Sequence, residues 1–136
     1  MSRLSVTLRF DGVHSFHFAD MERETVSEWA ETVMALQRTY HETDQHLRVF
    51  YTFDADLLPT PYLVMRSISV LSSADPDLKL SIAAVIPTRI LMNSSQHVVT
   101  HVYNGRSIHL VESVDEANAW LNERHRKFQQ RLPLDE

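Results

Sequence analysis

Leu4, Val6, Leu8 and Phe10 alternate with Ser5, Thr7 and Arg9, the period of two that marks a half-buried strand. Asp11-Gly12 follows, the strongest short hairpin signal, and Phe16 and Phe18 then alternate with Ser15 and His17 on a return strand. A β-hairpin is therefore expected first. From Val26 the period changes, because Val26, Trp29, Ala30, Val33, Leu36 and Tyr40 recur at helical spacing. Asp20 can cap this helix, and Glu22 and Glu24 complement the positive end of its dipole. The apolar stripe is expected to pack in the core. Its polar side is acidic, through Glu22, Glu24, Glu28 and Glu31, which disfavours an anionic membrane surface.

Leu47 to Phe53 (LRVFYTF) is a run of branched and aromatic residues between polar His41–His46 and acidic Asp54–Asp56, the pattern of a strand buried on both faces near the middle of a sheet. Thr60 is a good N-cap and Pro61 suits the first helical position, so the next helix starts there and ends before Pro76. Lys79 to Ile86 (KLSIAAVI) reads as another buried strand stopped by Pro87. Thr88 to Val102 then has helical spacing through Leu91, Ser95, Val98 and Val102, with Gly105 closing it. Ser107 to Glu112 is a last short strand. Asp115 or Ser113 caps a final helix with Ala117, Trp120, Leu121 and Phe128 inward.

Strands alternating with helices in the order ββαβαβαβα predict an α/β fold: a single mixed, mostly parallel sheet extended by the hairpin, with right-handed crossovers. With 136 residues, of which 43% are hydrophobic and 23% charged, the chain reads as one domain spanning residues 1–136. Having no cysteine, it cannot form disulfides or thiolate metal sites. A net charge of −5 with no basic stripe argues against nucleic acid as a partner. MSRLSVTLRF lacks the apolar run of a signal peptide, and no segment approaches the ~20 apolar residues of a membrane span. A soluble cytoplasmic protein without stable membrane insertion is the expectation.

Three stretches carry a resemblance: the N-terminal hairpin; Val49–Asp54 (VFYTFD) followed by Leu58-Pro59-Thr60-Pro61-Tyr62; and Leu110–Leu121 (LVESVDEANAWL), a strand, an acidic cap and an Ala-x-x-Trp-Leu helix. Together they resemble the STAS domain family, specifically its SpoIIAA-like, STAS/SEC14-like relatives. The resemblance implies a non-enzymatic regulatory module, as in the anti-sigma factor antagonists. These bind a regulatory protein or kinase and are switched by phosphorylation of a Ser or Thr at the start of the second helix. Thr60 occupies that region, without the family's Asp-Ser-Ser-Gly-like signature. Asp54, Asp56, Pro61 and Tyr62 around it are candidate partner- or ligand-binding residues. SEC14-like relatives imply the alternative of an apolar pocket between helix and sheet that takes a small molecule or lipid. Family members often pair, which points to a homodimer through Tyr51, Tyr62 or the hairpin edges.

The residues themselves leave Thr60 open between two roles. A phosphate there would meet unpaired N–H groups and the helix dipole, although Asp54 and Asp56 would repel it; in the other role the hydroxyl is a plain N-cap. Asp54 and Asp56 follow a buried strand, where open α/β sheets bind ligands, yet no nucleophile, glycine-rich loop or third carboxylate accompanies them. They are read as a polar loop unless a ligand recruits them. Tyr51, Phe53 and Tyr62 could line a cleft at that strand exit. His97 and His101, four apart on one helix, lack a third ligand, so exposed helix histidines and no metal are expected. No cofactor is expected. Arg124, Arg126, Lys127 and Arg131 are read as a solvated, dipole-matched last turn.

Overall fold

The structure is a computed structural model and describes residues 2–135; the first and last residues of the predicted 1–136 domain lie outside the described residues. Strands β1 (Leu4–Leu8) and β2 (His14–Phe18) form the hairpin, followed by α1 (Arg23–Glu42), β3 (His46–Phe53), α2 (Pro61–Ser72) and β4 (Lys79–Val85). Helix α3 (Arg89–Thr100), a 3₁₀ turn (Gly105–Ser107), β5 (Ile108–Val111) and α4 (Val114–Gln129) complete the chain. The result is an α/β fold with one mixed, mostly parallel sheet, in which the five strands lie in sequence order and only β1 and β2 pair antiparallel.

Three of the helices connect parallel neighbours stepping in one direction across the sheet. Crossovers of one hand must all lie on the same face. Phe16, Phe18, Leu47, Val49 and Tyr51 face these helices in the main core. The intervening residues of β3, among them Phe50, turn to the other face, where Val13, Ala83 and Val111 pack with Ala117 and Leu121 of α4. Central β3 is thus buried on both sides, with Leu47, Val49 and Tyr51 on one face and Phe50 beside the buried polar His46 and Arg48 on the other.

At the open edge the outcome differs from the hydrophobic pattern. Val6 and Leu8 lie opposite Phe16 and His14 on the α1 face, but α1 does not extend over them and they are exposed. Phe10, expected on the buried face of the strand, is fully exposed in the turn. The turn needs its glycine twice over: Gly12 has φ +89°, and a Cβ there would come within 2.8 Å of Arg48 Nη2, which donates to the Asp11 carbonyl at 2.7 Å.

Caps account for most other boundaries. Thr60, Thr88 and Ser113 each have extended backbone and accept from the N–H three residues on, starting α2, α3 and α4. Asp20 does not cap α1. Its carboxylate accepts from Glu22 N–H at 3.1 Å, two residues ahead of the cap, because Met21 is drawn into the core and Glu22 takes the cap position without a side-chain bond. Nor does Gly105 close α3, which stops at Thr100; Gly105 begins the 3₁₀ turn.

Candidate functional site

The carboxyl ends of β3 and β4 lead into the starts of α2 and α3, so the sites proposed from sequence converge on this end of the sheet. Thr60 stands at the head of α2, its Oγ1 accepting from Leu63 N–H at 3.1 Å, with Pro61 in the first helical position. Two residues on, the Tyr62 hydroxyl shares a 2.8 Å hydrogen bond with Ser27 Oγ, and the Arg23 guanidinium lies 4.0 Å above the Tyr62 ring. The Ser27 hydrogen bond holds the phenol below its ordinary pKa, and Arg66 and Arg23 add to the effect. Tyr62 therefore clamps the start of α2 to α1.

Asp54 has a different role. Its Oδ1 lies 2.7 Å from His17 Nε2, whose Nδ1 is 2.7 Å from Thr52 Oγ1. His17 and Thr52 are direct cross-strand partners, and their alternation with Phe16, Phe18, Tyr51 and Phe53 puts them on the face opposite α1. The hydroxyl, imidazole and carboxylate form a half-exposed polar ladder that ties β2 to β3 beyond their last paired residues. Asp56 is exposed in the loop. The structure thus keeps Thr60, Pro61 and Tyr62 together and commits Asp54 to the sheet.

Beneath α2 and α3, along most of their length, lies a partly open cavity of about 100 Å³. From the helices, Leu63, Val64, Leu71, Leu91 and Val98 line it. The strands supply Phe18, Tyr51, Phe53, Ala84 and Leu110, and α1 supplies Trp29. Its lining has no charged residue, and Ser67, Ser94 and Ser95 add the only aliphatic hydroxyls. Tyr51 and Phe53 line this cleft as the sequence suggested, whereas Tyr62 sits outside the wall. Tyr51 cannot serve a dimer interface, because it is buried against Phe16, Phe18 and Trp29. The residues missed from sequence are Trp29 and the α3 face: both carry helical apolar spacing, which does not distinguish a filled core from a hollow one.

Three other polar clusters lie outside the cavity wall. Under α4, Arg124 is 4% exposed and donates to Ser81 Oγ at 2.6 Å, the Leu80 carbonyl at 2.8 Å and Asp135 at 2.8 Å. This corrects the reading of the basic tail as a wholly solvated turn: the guanidinium is an internal tie between α4, β4 and the C-terminal segment. His41, Asp75 and Asp77, at the end of α1 and in the loop before β4, each offer one atom within 4.8 Å of the others, a set able to contact a cation. It is exposed, and Asp75 already accepts from Asp77 N–H at 2.8 Å. His97 and His101 are exposed with ring centroids 4.1 Å apart, and His101 Nδ1 bonds the His97 carbonyl at 2.7 Å. No helix among the described residues is long and apolar enough to cross a membrane. No family model matches the chain, and neither the curated proteins nor the solved structures provide a match.

Proposed function

We propose that the protein is a non-enzymatic binding module of STAS-like, SpoIIAA-like type whose ligand is a compact apolar molecule held between α2, α3 and the sheet. The observation that carries this reading is the uncharged, partly open cavity between α2, α3 and the sheet, an apolar concavity of the kind small molecules occupy. The STAS-like assignment itself rests on the sequence resemblance. A cavity of about 150 Å³ lined by aliphatic and aromatic side chains stays dry and takes up benzene. A partly open one of about 100 Å³ suits a ligand of roughly six to eight non-hydrogen atoms better than a long acyl chain. Because α2 both lines the cavity and presents Thr60 and Tyr62 at its head, occupancy can be read by a partner at that helix end.

The test is thermal unfolding with toluene, indole and cyclohexanone. Ligand that binds the folded state raises Tm, by about 3–5 °C for each kcal/mol in a chain of this size. Ala84→Leu projects its larger side chain from β4 into the cavity and is expected to abolish the response. Equal responses in both proteins, or none in the wild type, would contradict the proposal.

A second reading, docking of a regulatory protein or kinase at the head of α2 under control of Thr60, is favoured by the two guanidinium groups of Arg23 and Arg66 beside Tyr62. They would offset the acidic loop and pair with a phosphate on Thr60, together with the first-turn N–H groups. Equal partner binding by wild type, Thr60→Ala and Thr60→Glu would overturn this reading.

A further inference from the structure

The cavity wall contains a buried phenol whose hydrogen-bonding capacity is only half used. Tyr51 is 7% exposed, and its hydroxyl oxygen accepts from Trp29 Nε1–H at 2.7 Å. That bond occupies an oxygen lone pair and leaves the hydroxyl hydrogen free, and no acceptor for it is present among the described residues. A buried donor left without an acceptor loses its hydration uncompensated, so such groups are ordinarily satisfied by protein, water or ligand. Both rings of the pair stand in the cavity wall.

We propose that Tyr51 is the polar anchor of the cavity and that its hydroxyl donates to an uncharged ligand carrying one hydrogen-bond acceptor, such as a ketone, on a compact apolar body. This deepens the binding-module reading and rests on it. Three features define the class. The Trp29 N–H fixes the direction of the phenol oxygen, so the donor is preorganised. Burial pushes the Tyr51 pKa upward, so the group remains a protonated donor across the neutral range. The lining includes no Lys, Arg or His to neutralise a carboxylate or phosphate and no Asp or Glu to neutralise an amine, so a charged ligand would lose its hydration without compensation. Ser67, Ser94 and Ser95 are the competing hydroxyls. Their hydroxyls make no hydrogen bond to another described residue, so each is tested beside Tyr51.

The experiment compares cyclohexanone with methylenecyclohexane, which has the same shape without the acceptor, by titrating wild type and Tyr51→Phe in the full-length chain. Cyclohexanone is expected to bind Tyr51→Phe about three- to tenfold more weakly than wild type, the effect of one neutral hydrogen bond, while methylenecyclohexane affinity stays within about twofold. Ser67→Ala, Ser94→Ala and Ser95→Ala are expected to leave cyclohexanone binding unchanged. If both probes bind and Tyr51→Phe shifts them equally, or if a serine variant carries the difference, the anchor is overturned while the cavity reading stands. If neither probe binds wild type, the cavity reading itself is overturned. Should Tyr51→Phe fold poorly, the infrared carbonyl band of cyclohexanone bound to wild type decides the matter: a shift to lower frequency is expected, and a band at its apolar-solvent position contradicts the anchor.

Discussion

Both ring nitrogens of His46 are engaged inside the fold: Nδ1 lies 3.0 Å from His125 Nδ1, and Nε2 lies 2.7 Å from Ser81 Oγ. Burial, with His125, Arg48 and Arg124 around it, lowers the His46 pKa to about 3. Burial also lowers His14 and His125. The sign follows from linkage. In the unfolded chain these imidazoles take up protons below about 6.5, whereas the folded protein holds them neutral, so acid favours unfolding. Stability is therefore expected to be full above about pH 6.5 and to decline as pH falls from there toward 3. His46→Gln should flatten that decline, as measured by urea unfolding at pH 7.5, 6.0 and 5.0. An unchanged slope would show that His46 does not carry the dependence. None of this was legible in the sequence, where His46 stands among polar residues. Burial of Arg124 was hidden for the same reason: a cation in the last turns of a helix is equally compatible with solvent, and only the register of α4 over β4 brings it onto Ser81.

Elements were more legible than their chemistry. β4, α2 and α4 lie within a few residues of their expected bounds because each has a local stop or start: Pro87 after β4, Thr60 and Pro61 at α2 and Ser113 at α4 act without reference to the rest of the chain. Where the boundary depended on tertiary contact, the pattern misled. Met21 is pulled into the core and shifts the α1 cap from Asp20 to Glu22, and β1 ends at Leu8 because the hydrogen-bonded turn begins at Arg9 and carries Phe10 into solvent. The head of α2 supplies the test at this scale. Thr60→Ala removes the bond to Leu63 N–H and is expected to cost about 1 kcal/mol in denaturant unfolding, with Thr60→Ser close to wild type. An Ala variant as stable as wild type would mean that the hydroxyl is not needed as a cap.

At the scale of the whole molecule, the sheet is dressed unequally. α4 closes one face with a small compact cluster, while the face under α1, α2 and α3 carries the larger core and, beneath α2 and α3, the cavity. An amphipathic pattern tells which face of a helix turns inward but not how far it stands from the strands, so the expectation of a pocket came from resemblance and its position and lining came from the structure. Close-packed interiors leave few voids larger than a water molecule, which makes an uncharged hollow between helices and sheet a feature to be tested for ligand. The most direct measurement is methyl NMR during a cyclohexanone titration. Shifts confined to the methyl groups of Leu63, Val64, Leu91, Val98 and Leu110, and absent in Ala84→Leu, are the predicted result. No shifts at these methyls, or the same shifts in Ala84→Leu, would contradict a ligand site between the helices and the sheet.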